Sequence, residues 1–186
     1  MRIGLISDTH IPSMGTAPPP QVARAFQGVD LILHAGDVYI PSCLEWLARI
    51  APVEATMSGK QHAGEGAGRF SQVRVVEAEA HSIGLTHELT LRGLGDDVLP
   101  GIIQRKFPPE QSLPIALQEV FGKAVDIVVF GYTHEAMVET HQGVLLVNPG
   151  SPTVVKQVRR LGTVAILDLT PESREARIID LAGLDE

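Results

Sequence analysis

Three short apolar runs in the first sixty residues, set apart by two amphipathic stretches, restrict this chain more than any other feature. Ile3 to Ser7, Leu31 to His34 and Val53 to Met57 read as buried strands. Between the first two, Gln21 to Gln27 reads as a helix, entered through Pro18, Pro19 and Pro20 and closed by Gly28. Pro41 to Ile50 reads as a second helix, with Leu44, Leu47 and Ala48 at helical spacing and Pro52 as its stop. Strand, helix, strand, helix, strand implies parallel pairing, with the crossover helices covering the sheet.

The second half has a different texture. Residues 58 to 72 are glycine-rich and read as a mobile loop. Val73 to Val76 and Ser82 to Thr86 read as strands, followed by an irregular stretch from Leu89 to Pro114 and a helix from Pro114 to Phe121 closed by Gly122. Val125 to Phe130 is apolar enough for a central strand. Ala136 to Thr140 and Val144 to Val147 flank His141-Gln142-Gly143 as a hairpin, and Thr163 to Leu169 and Ala176 to Leu181 flank a turn at Pro171-Glu172-Ser173. With no internal repeat or linker, a single domain over 1–186 is expected. Its class is α/β: a two-sheet sandwich flanked by helices, parallel in the N-terminal half and mostly antiparallel in the C-terminal half.

Composition removes several functions. The formal net charge is −7, whereas a binder of duplex nucleic acid needs a clustered basic face. Lys156, Arg159 and Arg160 are the nearest approach and read as a solvated edge. Cys43 is the single cysteine, so no intrachain disulfide can form, and it reads as a small apolar group on a buried helix face. No run approaches the roughly 20 apolar residues that span a bilayer, and no leader precedes the first strand. A cytoplasmic protein without membrane contact is therefore expected. Ser58-Gly59-Lys60 lacks the spacing of a phosphate-binding loop, and Asp8-Thr9-His10-Ile11-Pro12 lacks the glycines of a dinucleotide site.

Four motifs follow the ends of apolar strands: Asp8-Thr9-His10, Gly36-Asp37, Thr86-His87-Glu88 and Gly131-Tyr132-Thr133-His134. Sites in α/β sheets lie beyond the carboxyl ends of the strands, so these motifs can converge on one crevice. In extended backbone, residues two apart share a face, which would let Asp8 and His10 reach one ion. Carboxylate and imidazole donors suit Mn, Fe or Zn. His34 reads as a hydrogen-bonded core histidine, and His81 and His141 as exposed turn residues.

The runs ISDTH at 6–10, LHAGD at 33–37, LTH at 85–87, GYTH at 131–134 and NPGSP at 148–152 resemble the motifs of the calcineurin-like metallophosphoesterases. The likeness is to their small bacterial and archaeal phosphodiesterases and the retromer-subunit relatives of eukaryotes, and it covers essentially the whole chain. It implies a centre of two divalent metals bridged by an aspartate. Carried over, Asp8, His10, Asp37 and His134 match the ligands of the first metal, Asp37 the bridge and His87 a ligand of the second. Asn148 to Ser151 match a structural turn beside the site. A small phosphorylated substrate and a homodimer are what the resemblance implies for partners.

Three positions depart from the family pattern. Gly59-Lys60 stands where the family has Gly-Asn, Tyr132 where it has His, and Glu88 where it has Gly. A protonated lysine cannot ligate a metal, so one divalent ion (Mn, Fe or Zn) is expected and the second site is degenerate. The expected activity is hydrolysis of a phosphate mono- or diester by metal-activated water. Lys60 would stabilise phosphoryl charge, Tyr132 would donate a hydrogen bond to a phosphoryl oxygen, and His87 would orient water or protonate the leaving group. His62 and Glu88 are candidates for relocated ligands. The alternative is a catalytically silent binding or scaffold module on the same fold.

Overall fold

The computed structural model describes residues 1–56 and 72–184. Lys60, His62 and the glycine-rich stretch up to residue 71 therefore lie outside the described residues. The chain forms two mixed five-stranded sheets packed face to face, the expected α/β sandwich. In the first sheet β1 (Arg2–Ile6) pairs in parallel with β2 (Leu31–His34), and β2 with β3 (Val53–Ala55). On its other side β1 pairs antiparallel with β11 (Thr163–Leu169), which β12 (Arg174–Asp180) extends to the edge. The second sheet has the order β4 (Val73–Ala78), β5 (His81–Thr86), β6 (Ile127–Val129), β8 (Val144–Asn148) and β7 (Met137–His141). Its outer pairs are antiparallel, whereas β5, β6 and β8 run parallel at its centre.

The apolar runs arise because central strands are covered on both faces. Along β11, Ala165 and Leu167 point between the sheets with Leu5, Leu33, Ile83 and Val129. Val164 and Ile166 point outward onto Val22, Phe26 and Leu47, which belong to α1 (Pro20–Ala25) and its C-terminal cap and to α2 (Pro41–Ala48). On the far side of the second sheet, Val128, Leu146 and Phe130 pack beneath α3 (Ile102–Lys106) and α4 (Leu113–Phe121). Alternate residues thus serve alternate cores, with the period of two that a strand imposes. Helix α4 begins with the Ser112 hydroxyl accepting from the Ile115 N–H and ends at Gly122, whose φ of 70° is left-handed.

Three local readings change. The stretch from Leu89 to Pro114 contains α3, too short for its periodicity to stand out. His81 opens β5 and is buried. Its Nδ1 lies 2.6 Å from Asp126 Oδ2 and its Nε2 lies 3.0 Å from the Thr170 carbonyl. His141 ends β7, half-buried against the Phe107 ring. A small β9–β10 hairpin (Val154–Val155, Val158–Arg159) follows the NPGSP segment. No helix among the described residues is long and apolar enough to cross a membrane.

Candidate metal centre

The four motifs follow the C-terminal ends of β1, β2, β5 and β6. Backbone hydrogen bonds knit them in pairs beyond the sheets: Asp8 N–H to the Gly36 carbonyl (3.0 Å), His10 N–H to the Asp37 carbonyl (3.2 Å), and Gly131 N–H to the His87 carbonyl (2.9 Å). One ligand atom each from Asp8, His10, Asp37 and His134 lies within 4.8 Å of the others. His10 Nε2 and His134 Nε2 are 3.1 Å apart, and His134 Nε2 lies 3.3 Å from Asp8 Oδ1. His10 Nε2 is 3.6 Å from Asp37 Oδ2.

The expected reason for this convergence is replaced by another. Asp8 and His10 do not share a face through extended backbone. Asp8 (φ 53°), His10 (51°), Asp37 (56°), Tyr132 (73°) and His134 (58°) are all left-handed. Such conformations cost non-glycine residues about 1–3 kcal/mol each and persist only where surrounding contacts enforce them. Five of them at one centre mark a backbone bent to aim side chains.

The enforcing contacts are visible. Asp8 is fully buried; its Oδ2 lies 2.7 Å from Ser7 Oγ and accepts from the Tyr132 N–H at 3.1 Å. Ser151 Oγ donates to the Asp8 carbonyl (2.7 Å), and Thr153 Oγ1 donates to the Thr9 carbonyl (3.2 Å). Asn148 Nδ2 donates to the Gly131 carbonyl (2.9 Å) and to Thr133 Oγ1 (3.1 Å), while its Oδ1 accepts from the Gly150 N–H. The segment from Asn148 to Ser151 therefore braces the first and fourth motifs together. Glycine is required at Gly36 and Gly131 for close approach: a Cβ on Gly36 would lie 2.6 Å from His87 Cβ, and one on Gly131 would lie 2.5 Å from Asp8 Oδ2.

The remaining polar groups tune the centre. Burial pushes the Asp8 carboxyl up, but His134, His87 and the Ser7 hydroxyl outweigh it and hold the group below its usual value. Burial also lowers His10, favouring the neutral imidazole. At His134 burial acts downward too, yet Asp8 beside it leaves the net shift upward. His87 Nδ1 faces the Ala35 carbonyl at 2.8 Å, so that nitrogen carries the proton and Nε2 faces Asp8 Oδ1 and Asp37 Oδ1, each at 3.8 Å. His34 is fully buried with Nε2 3.2 Å from Thr9 Oγ1, and burial lowers its pKa to about 4.

Among the other sequence-derived candidates, Tyr132 stands with its ring edge-on to His87, 5.8 Å between centroids, and is 41% exposed. Glu88 is exposed beside Leu89 and Tyr132. Lys60 and His62 lie outside the described residues. Sequence reasoning missed Ser7, which sits in the last polar position of the first apolar run, and Tyr39. The Tyr39 hydroxyl is 3.0 Å from His10 Nδ1 and 3.3 Å from Asp37 Oδ2. Burial and then the Asp37 carboxylate push this phenol up to about 12. Its signal was its position two residues beyond Asp37.

The donor set fits a divalent cation. Two carboxylates and two imidazoles converge, and the buried Asp8 Oδ1 accepts no hydrogen bond from the described residues. Residues 1–172 match the calcineurin-like phosphoesterase superfamily domain. A probable metallophosphoesterase of Methanothermobacter thermautotrophicus is 33% identical over 180 residues, 96% of this chain and 92% of that protein. Among solved structures, wild-type Vps29 of Entamoeba histolytica, complexed with Zn2+, superposes with a TM-score of 0.67 at 20% identity, covering 97% of this chain and 99% of that one. A novel archaeal phosphodiesterase superposes with a TM-score of 0.61 at 18% identity, covering 96% and 100%.

Proposed function

We propose that this chain, which belongs to the calcineurin-like phosphoesterase superfamily, hydrolyses a small phosphate ester, preferentially a diester, at a centre holding one divalent ion. The observation that carries this reading is the convergence of Asp8, His10, Asp37 and His134 within 4.8 Å, on backbone held left-handed at all four positions. These four residues would hold the ion. When bound, a divalent cation supplies Lewis acidity to a phosphoryl oxygen and lowers the pKa of water.

The chain's own groups do the rest. Ser7 and the Tyr132 N–H fix Asp8 Oδ2, so Oδ1 is the oxygen presented to the cluster. Because His87 Nδ1–H donates to the Ala35 carbonyl, Nε2 is the atom that accepts a proton from water or returns one to the leaving oxygen. In this reading the exposed Tyr132 phenol donates to a phosphoryl oxygen, and Lys60 supplies positive charge in place of a second cation. The second position then retains only Asp37 and His87, whose Nε2 lies 3.8 Å from Asp37 Oδ1.

The test combines counting and turnover. After loading with Mn and desalting, elemental analysis is expected to find one ion per chain, and the loaded protein to hydrolyse bis(p-nitrophenyl) phosphate. Asp37→Asn is expected to lower that rate by at least ~100-fold, since it removes a ligand carboxylate. Two ions per chain would overturn the one-ion version. No hydrolysis by folded protein with Mn, Fe or Zn would leave the binding module as the function.

A further inference from the structure

Tyr39 stands outside every motif that marks the centre, yet its hydroxyl touches two of the four candidate ligands. Loop 36–39 is docked on loop 8–10 through the Asp8 N–H to Gly36 carbonyl and His10 N–H to Asp37 carbonyl bonds. The Thr9 hydroxyl adds a third link, 3.3 Å from the Asp37 carbonyl. That docking, with Asp37 left-handed, carries Tyr39 back over His10, ring centroids 5.7 Å apart. Its oxygen then lies 3.0 Å from His10 Nδ1 and 3.3 Å from Asp37 Oδ2.

A phenol has one proton to give, and only one arrangement satisfies both contacts. If Tyr39 donates to His10 Nδ1, its lone pairs face the Asp37 carboxylate, which has no proton to return. If it donates to Asp37 Oδ2, its oxygen accepts from His10 Nδ1–H, and both contacts are attractive. The second arrangement leaves the proton of neutral His10 on Nδ1 and the lone pair on Nε2, which faces Asp37 and His134. We infer that Tyr39 is a positioning residue: its hydroxyl locks His10 in the Nδ1–H tautomer and restrains Asp37 Oδ2, so that both groups face the ion ready to bind. This inference rests on the metal-centre reading above.

A hydrogen-bond partner beyond the ligands of this kind is commonly worth 10–100-fold in metal affinity. Because Tyr39 is 45% exposed, Tyr39→Phe removes the hydroxyl without opening a cavity. In calorimetric titration with Mn2+, Tyr39→Phe is expected to bind 10–100-fold more weakly than the wild type. Its urea unfolding midpoint, measured without metal, should be unchanged. The decisive readout is the His10 ring in metal-free protein, by long-range proton–nitrogen NMR at a pH where it is neutral. The wild type should show the Nδ1–H form and Tyr39→Phe a shift toward Nε2–H. Unchanged affinity together with an unchanged tautomer would overturn the inference, as would an Nε2–H wild type. A wild type that binds no Mn2+ overturns the metal-centre reading instead, and the tautomer measurement still decides the lock.

Discussion

Gly36→Ala asks whether the site is closed by backbone strain alone or by side-chain contact as well. Gly36 has φ 88°, and a Cβ built there would lie 2.6, 2.7 and 2.8 Å from Cβ, Cγ and Nδ1 of His87. A left-handed backbone costs a non-glycine residue about 1–2 kcal/mol. Forcing an extra methyl against a packed side chain adds about 1–3 kcal/mol. His87 has little room to retreat, since it is 5% exposed and bonded to the Ala35 carbonyl. The expected loss is therefore about 2–5 kcal/mol. Gly28 provides the control, because its φ is 77° and nothing lies within 4 Å of the added Cβ. Gly28→Ala should cost the backbone part only, about 1–2 kcal/mol. Both changes remove the same freedom from the unfolded chain, so that contribution cancels in their difference. Urea unfolding of the two variants at pH 7 without metal, fitted with a common slope, should separate them by about 1–3 kcal/mol. Only Gly36→Ala should also impair hydrolysis. Equal destabilisation by the two variants would refute the steric argument.

Two further expectations follow from buried polar groups. His34 has a folded pKa of about 4 against about 6.5 unfolded, so between those values the unfolded chain binds more protons. Stability should fall as pH drops below 6.5, with about 3 kcal/mol lost once pH is below 4. His34→Gln, which does not ionise, should flatten the slope of urea-derived stability between pH 6.5 and 5, and parallel slopes would refute this. Asn148→Ala strips partners from the Gly131 carbonyl, Thr133 Oγ1 and the Gly150 N–H. It should cost at least about 2 kcal/mol and lower hydrolysis. Unchanged thermal unfolding would show that the brace carries no energy.

The strands were legible where both of their faces are buried. Leu31–His34 and Thr163–Leu169 match the sequence reading residue for residue, because continuous apolar runs have few other uses. The four motifs were legible because each follows such a run. Their conformation was not: nothing in Asp8-Thr9-His10 announces a left-handed aspartate and histidine. What enforces that geometry is Ser151 and Thr153, more than 140 residues away. Tyr39 and His81 escaped for the same reason. Strand pairing brings His10 to Tyr39 (β1 with β2) and Asp126 to His81 (β5 with β6), and Thr170 reaches His81 from the facing sheet.

The brace also dictates an order of assembly during synthesis. All four candidate ligands have been made by His134, yet the seat of Asp8 is completed by the hydroxyl of Ser151 and a contact from Ser7 to the Gly150 carbonyl. Moreover, β1 gains its second neighbour only when β11, ending at Leu169, docks beside it. A ribosome adding about 5–20 residues per second thus carries a nascent chain with all four candidate ligands before the contacts that brace Asp8 can form. On the proposed reading, capture of an ion would then be a late event, reserved for a chain whose last strands have closed on its first.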